Sequence, residues 1–250
     1  MKIISCNIGG IESSYKKSDL LGFIKREDLD IICFQELKKA KKNIEKLPNE
    51  LINIPNYNSY FFPHQEKGMH GVGIYTKIKP KNIKNGIGVE KFDHEGRTQI
   101  LDFGEFTLVN VYCPHGANNN YLPKQLEYLD YLKEVILEMN KEKDKIIICG
   151  DFNMAHSDLD LSHENKRRKI YGYLPAQKQF IDDLIANNFI DSFRTIHPNS
   201  KKYTWKGPKN NWRLDYFFIS KNLENYLKKA DVLEKEELSD HNPILIELEF

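Results

Sequence analysis

The sequence predicts an α/β fold: two β-sheets packed face to face, with helices on their outer faces, built as one domain over residues 1–250. Three observations carry this reading. Short apolar runs such as Ile146-Ile-Ile-Cys149, entered from charged residues, read as strands buried on both faces. Amphipathic helical patterns alternate with such runs. Between Asn58 and Tyr112, short strands follow one another with turn signals between them, which suggests antiparallel pairing. No linker, composition shift or low-complexity segment divides the chain.

Taken in order, Ile3–Cys6 is a strand ending on Asn7 and the Gly9-Gly10 turn. Residues 18–27 place Leu20, Leu21, Phe23 and Ile24 on one helical face, capped by Ser18 or Asp19. Asp30–Phe34 is a second buried strand, ending on Gln35-Glu36. Lys38–Leu47, rich in lysine, reads as a solvated helix face. Strands are expected at Asn58–Phe62, Val72–Thr76, Ile87–Val89, Thr98–Phe103 and Thr107–Tyr112, with a glycine-bracketed loop at Gly68–Gly71. Leu122–Met139 has helical apolar spacing. The run Lys145-Ile-Ile-Ile-Cys-Gly-Asp151-Phe-Asn153 then drives a buried strand into two polar residues. Gly150 lets the backbone turn, and an extended segment would face Asp151 and Asn153 the same way. Asp158–Tyr173 is a long polar loop holding Lys166-Arg-Arg-Lys169, either solvated or a phosphate clamp. Pro175–Asn187 is a helix, Tyr203–Trp205 and Arg213–Ile219 are strands, and Ile244–Phe250 closes the chain. The two halves echo each other: a helix and then a strand ending in an acid, Glu36 in one and Asp151 in the other.

Thirty-seven basic residues nearly balance 36 acidic ones, for a net charge of +1. A polyanion would therefore have to be gripped by a local patch. Cys6, Cys33, Cys113 and Cys149 lack the paired spacing of a zinc site and read as small buried hydrophobes in a reducing compartment. With no hydrophobic leader and no membrane-length apolar stretch, the expectation is a soluble cytoplasmic protein away from membranes.

Six apolar runs deliver polar residues at or beside their ends: Asn7, Glu36, Tyr112, Asp151 with Asn153, Asp215, and Asp240-His241. Hard oxygen donors without cysteine are what Mg²⁺ or Mn²⁺ selects. An Asp–His pair can orient and charge an imidazole. No Ser or Cys lies in a nucleophile-elbow context, so water is the expected nucleophile. The chemistry these features favour is metal-assisted hydrolysis of a phosphate ester.

Eight blocks occur in order: Asn7-Ile-Gly, Phe34-Gln-Glu36, Gly71-Val-Gly-Ile-Tyr-Thr-Lys77, Glu95-Gly-Arg97, Val111-Tyr-x-Pro114, Gly150-Asp-Phe-Asn153, Trp212-Arg-Leu-Asp215-Tyr-Phe and Ser239-Asp-His241-x-Pro243. Over essentially the whole chain they resemble the exonuclease III family of abasic-site DNA endonucleases, within the endonuclease/exonuclease/phosphatase superfamily. The resemblance implies a four-layer α/β sandwich like that of deoxyribonuclease I, with two mixed sheets flanked by helices and the site at the mouth between them. It implies a nuclease that cleaves 5′ to abasic sites and trims 3′ ends. It further implies metal ligation by Glu36 with Asn7, with Asp151, Asn153 and His241 also in the metal set, and in Asp240 a further acidic ligand or a partner of metal-bound water. Asp151 would activate or position the attacking water, Asn153 and His241 would hydrogen-bond the phosphate and stabilise charge developing on it, Asp215 would orient His241, and Tyr112 would touch the scissile phosphate. Trp205 and Trp212 would line the pocket for the base-less sugar, and Arg97 would meet the DNA backbone.

The chain departs from that pattern in four places. Gly9 stands where an Asp or Asn is usual, and His115 where an Asn is usual. Arg167 and Ile170 occupy a loop that is often Asn-rich. Only Lys206–Asn211 separates the two tryptophans. A relative hydrolysing RNA ends or small phosphoesters, or a DNA-binding protein with a decayed site, are the rival readings.

Overall fold

The computed structural model describes residues 1–66, 68–162 and 170–250. The chain opens with β1 (Lys2–Asn7), α1 (Ile11–Lys17), α2 (Leu20–Glu27) and β2 (Ile31–Gln35). A lysine-rich 3₁₀ turn, Lys41–Lys46, and α3 (Asn49–Ile52) lead to β3 (Asn58–Phe62) and β4 (Val72–Thr76). Next come β5 (Asn82–Asn85), α4 (Glu90–Asp93), β6 (Thr98–Asp102), β7 (Thr107–Tyr112), α5 (Leu122–Glu142) and β8 (Ile146–Asp151). The last part holds α6 (Pro175–Ala186), β9 (Phe189–Asp191), α7 (Ser192–Ile196), the short pair β10 (Trp205–Lys206) and β11 (Asn211–Trp212), then β12 (Asp215–Ser220), β13 (Leu227–Val232) and β14 (Ile244–Leu248).

These strands make two mixed sheets, in the orders β13-β14-β1-β2-β4-β3 and β5-β6-β7-β8-β12-β9. Each is built around one parallel pair, β1 with β2 and β7 with β8, flanked by antiparallel neighbours. Parallel neighbours need a crossover, and α1–α2 and α5 supply it. The echo between the two halves of the sequence is this repeated unit.

The buried runs divide their residues between two faces, as a pleat requires. Ile3, Ile31, Cys33 and Ile74 meet Leu108, Ile147, Cys149 and Phe217 between the sheets. Ile4, Ile32 and Phe34 point the other way, against Leu20, Phe23 and Ile24 of α2. Val109, Ile146 and Ile148 pack outward on Leu129 and Leu132 of α5 and on Phe180 and Leu184 of α6. Helix, sheet, sheet, helix is therefore the layer order. Each fully buried side chain of this kind contributes about 1.5–3 kcal/mol. Among the described residues no helix is long and apolar enough to cross a membrane.

Asp19, not Ser18, caps α2, accepting from the Gly22 amide at 3.2 Å. The strand expected at Ile87–Val89 is absent. Gly86 and Gly88 take φ of +90° and +86°, and Asp93 accepts from the amides of Ile87 and Gly88 at 2.7 and 3.0 Å. That segment is a capping loop for α4, and the strand lies before it at Asn82–Asn85. The Tyr203–Trp205 strand begins only at Trp205, where it pairs with Trp212. The Lys166–Lys169 run lies outside the described residues.

A buried ion cluster fixes where β12 begins. Arg213 is 1 % exposed. Its Nε donates to Asp160 at 2.7 Å, and its terminal nitrogens donate to both Asp191 oxygens at 2.6 and 3.2 Å. Burial pushes the Asp160 carboxyl up, but Arg213 and Arg194 outweigh it and hold the group at about 2. A depressed carboxylate stabilises the fold above its ordinary pKa of about 3.9, and that stability is lost as pH falls through about 2. Asp160→Asn should cost about 3–5 kcal/mol at pH 7, because it strands a buried guanidinium. Urea titrations of both proteins should show the gap narrowing as pH falls from about 4 toward 2; a gap independent of pH would show that the charge of Asp160 contributes nothing.

Candidate active site at the mouth between the sheets

Along each inner face, the side chain changes from apolar to polar in steps of two. The series are Ile3, Ser5, Asn7 on β1; Ile31, Cys33, Gln35 on β2; Leu108, Asn110, Tyr112 on β7; and Ile147, Cys149, Asp151 on β8. β12 runs the opposite way and pairs Asp215 with Asp151. The parallel strands reach the mouth with their carboxyl ends and β12 with its amino end. Their polar residues gather around a cleft of about 410 Å³ lined by Asn7, Glu36, Tyr112, His115, Asp151, Asn153, Trp205, Trp212, Asp240 and His241, together with Tyr171, Gly172 and Leu214.

Gly150 is what brings β8 close enough to β7. A Cβ there would lie 1.9 Å from the Val111 carbonyl oxygen, and its φ of +137° suits only glycine. Beyond Asp151 the chain does not stay extended. Asn153 is left-handed, with φ +53°, a turn that Asn tolerates. Its amide donates to Asp151 Oδ1 at 2.8 Å, and its side chain donates to the Cys113 carbonyl at 2.9 Å. Asn153 thus reaches the cleft wall by a turn, not by the alternation of an extended strand.

Three contacts cross the mouth from one sheet to the other. Asn7 Nδ2 donates to Asp151 Oδ2 at 2.9 Å. Gly9, in the position where the resemblance expects a polar side chain, donates its amide to Asn7 Oδ1 at 3.0 Å. That bond turns the Asn7 nitrogen, and not its oxygen, toward Asp151. The Tyr112 hydroxyl donates to Glu36, whose other oxygen lies 2.9 Å from Lys38 Nζ. His241 Nδ1 lies 2.8 Å from Asp215 Oδ2, and its Nε2 is 4.0 Å from Asp151.

Electrostatics follow from burial. Desolvation alone would discharge His241, but Asp215, and after it Asp151 and Asp240, raise its pKa to about 10. Desolvation pushes Asp151 up to about 7, with the Asp215 charge adding to it and His241 opposing. Burial, reinforced by Glu36 and Asp151, keeps Tyr112 a neutral phenol and so a donor. Burial also lowers His115, against the charge of Glu36.

Ligand atoms of Asp151, Asp215 and His241 lie within 4.8 Å of one another, and Asp215 Oδ1 has no hydrogen-bond partner. Two buried carboxylates side by side, one with an orphaned oxygen, carry negative charge that a hard cation would neutralise. The donor set fits a divalent metal. Glu36, Asn7 and Asp240 face the same cleft outside that tight group, and Asp240 accepts from Trp205 Nε1 at 3.1 Å.

Arg97 is placed differently from the expectation. It is 4 % exposed, paired with Glu95, and donates to the Tyr112 carbonyl at 3.1 Å. It buttresses the end of β7 from behind and does not face solvent. Arg167 lies outside the described residues. Sequence reasoning missed Lys38 and Tyr171. The first was hidden in a run read as a solvated face; the second carried only the signal of an aromatic residue in a polar loop.

Comparison with known proteins agrees with this geometry. Residues 4–241 match the model of the Endonuclease/Exonuclease/phosphatase family. An exodeoxyribonuclease of Bacillus subtilis is 31% identical over 253 residues, covering 98% of each chain. The DNA repair nuclease APEX1 of Danio rerio is 33% identical over 262 residues, covering 98% of this chain and 81% of that one. The solved 3′-5′ exonuclease of Neisseria meningitidis superposes over the full length of both chains with a TM-score of 0.89 at 22% identity, a likeness of fold. The chain belongs to the Endonuclease/Exonuclease/phosphatase family. Within it, the chain is a hydrolytic nuclease of the exodeoxyribonuclease and AP endonuclease kind.

In the metal-free protein, Asp215→Asn should lower the His241 pKa from about 10 toward or below the free value near 6.5, because desolvation is then less opposed. The charged imidazole contributes stability fully below its unfolded pKa, and that contribution is lost as pH rises through the folded value. The loss should therefore move to lower pH in the variant. Titration of the ring by NMR decides it; an unmoved ring would leave the pair with no electrostatic role.

Proposed function

We propose that this nuclease is a DNA phosphodiesterase of base excision repair that depends on a divalent metal. It cleaves 5′ to abasic sites and trims blocked 3′ ends. In this reading it acts as a cytoplasmic monomer, residues 1–250 forming one catalytic domain, with Mg²⁺ or Mn²⁺ as cofactor and damaged duplex DNA as partner. The observation that carries it is the β10–β11 pair. It sets Trp205 directly opposite Trp212 on the wall of the cleft that holds Asp151 and His241. Ala155, Leu161 and Tyr173, with partly buried Ile170, pack around Trp212. A flat apolar wall beside a phosphate-activating site suits a sugar that has lost its base.

In the chemical step Asp151 takes the proton of the attacking water, its carboxylate held by the Asn7 amide and the Asn153 backbone. Charged His241, fixed by Asp215, donates toward a phosphate oxygen as negative charge develops there. Asn153 lines the same cleft and offers the phosphate a second amide hydrogen beyond the one given to Cys113, and Tyr112 would touch the phosphate by turning its single O–H away from Glu36. A metal held by Glu36 and the neighbouring oxygen donors would polarise the phosphate and stabilise the leaving oxygen. Lys206 and Lys209 are what the short connection between the tryptophans offers to the duplex backbone.

Incubation with matched duplexes, with and without one abasic site, tests this. Wild type should cut only the abasic duplex, in a Mg²⁺- or Mn²⁺-dependent manner abolished by chelator. Asp151→Asn should lose about 10²–10⁴-fold in rate while still binding DNA, the usual contribution of a general base. Trp212→Ala should lose discrimination between the two duplexes. Equal cutting of both by wild type, or cleavage only of RNA ends or small phosphoesters, would overturn the abasic reading.

A further inference from the structure

A polar layer lies directly beneath the cleft, and the chemistry above does not use it. Ser5, Gln35 and Asn110 all point between the sheets and are fully buried. Ser5 is one inner-facing step below Asn7, Asn110 is one step below Tyr112, and Gln35 immediately precedes Glu36. Gln35 Nε2 donates to Ser5 Oγ at 2.9 Å and to Asn110 Oδ1 at 2.7 Å. Asn110 Nδ2 donates to the carbonyls of Phe34 and Gly73 at 3.1 and 3.2 Å. These carbonyls can only accept, so the Asn110 nitrogen must face them and its oxygen must face Gln35. Gln35 must then donate. Neither amide has a second orientation that satisfies its partners.

The bridge thus ties β7 in one sheet to β2 and β4 in the other by directional bonds. The contacts below it are apolar and have no preferred direction. Gln35 Oε1 is left without a partner. Such a network is poorly explained by stability, because an apolar pair of the same shape would fill the space without an orphaned acceptor. Its value lies in geometry.

We infer that the Ser5–Gln35–Asn110 bridge is a positioning device: it fixes the separation of the sheets at the mouth, so that Asn7 and Glu36 on one side meet Asp151 and Tyr112 on the other. Gln35, Asn110 and Ser5 touch no substrate; they act through the residues above them. The inference rests on the cleft being the phosphodiesterase site. Of the three cross-mouth contacts, Tyr112 to Glu36 hangs on strand ends that this bridge joins directly, and Asn7 to Asp151 on β1, which it holds, and β8, which pairs with β7.

The test uses the full chain with Gln35→Leu, Asn110→Leu and the double variant. Three quantities are measured: Tm, the Mn²⁺ affinity of the metal-free protein by calorimetry, and single-turnover cleavage of an abasic duplex. Each single variant leaves a buried partner unsatisfied, so its Tm falls. The double variant removes both ends of the Gln35–Asn110 bond and leaves only Ser5 Oγ and the Phe34 and Gly73 carbonyls without their side-chain partners, so its Tm recovers part of the way toward wild type. A stabilising role alone would restore function along with Tm. A positioning role predicts instead that the double variant keeps a loss of about 10- to 100-fold in Mn²⁺ affinity. It also predicts a loss of about 10²-fold in cleavage, the effect of a misplacement near 1 Å. Recovery of Tm with wild-type affinity and rate overturns the proposal. Should the double variant fail to fold, Asn110→Ser shortens the one side chain that crosses between the sheets and so breaks its bonds to Gln35, Phe34 and Gly73. Weaker Mn²⁺ binding in it supports the bridge, and wild-type binding refutes it. Failure of wild type to cut the abasic duplex would count against the phosphodiesterase reading, and the Mn²⁺ affinities would then decide the bridge by themselves.

Discussion

A strand sends successive side chains to opposite faces, and this molecule uses that alternation to change chemistry along one face. Reading every second residue of β1, β7 or β8 passes from isoleucine or leucine, through serine, asparagine or cysteine, to a residue of the cleft. A slip of one residue in any of these strands would bury its polar end among the helices and turn its apolar residues inward. Register is thus held by the same burial that positions the site. The parallel pairing of Tyr112 with Asp151 and the antiparallel pairing of Asp151 with Asp215 then place three functional groups side by side on adjacent strands.

Proximity in a dry setting gives those groups their properties. Asp151 and Asp215 are buried side by side, and the Asp215 charge, added to burial, makes that of Asp151 harder to bear. His241 is drawn into its charged form by that excess, and a metal beside it would draw on the carboxylate oxygens alone, since an imidazolium has no lone pair to give. A solvent-exposed set of the same residues would titrate near ordinary values and attract a cation weakly. The fold supplies dryness through Phe152, Tyr216 and Phe218, which stack and edge against one another on the far side of β8 and β12. Arg213, locked between Asp160 and Asp191, anchors the entry to β12.

Much of this was legible in the sequence. The bounds of β3, β4 and β7 coincide with the apolar runs that suggested them, and α5 and α6 follow their helical spacing closely. Acids at strand ends pointed to the cleft because the pattern was repeated. What stayed hidden depends on partners far away in the chain. β13 mixes Leu227, Ala230 and Val232 with two exposed lysines and carries a bulge, so no clean period shows. α1 buries only Ile11 and Ser14, too little for an amphipathic signal. Nothing in Glu95-Gly-Arg97 reveals that the guanidinium will be consumed by its neighbour and by the Tyr112 carbonyl. The left-handed turn at Asn153 is equally silent, since Asn accepts either conformation.

The β10–β11 pair is stitched to the loop that carries Asp240 and His241 as well as to itself. Trp205 forms a bridge with His241, Lys206 donates its amide to the Asp240 carbonyl, and the Thr204 hydroxyl accepts the amides of Leu214 and Asp215. The tryptophan wall and the imidazole are therefore one mechanical piece. Under the proposed function, recognition and turnover would share a lever: whatever presses on the aromatic wall would also load the histidine. An enzyme wired this way can sense a fitting occupant through the same atoms that act on it. Its substrate range would then be hard to retune by changing the wall alone, because every change there also resets the catalytic group.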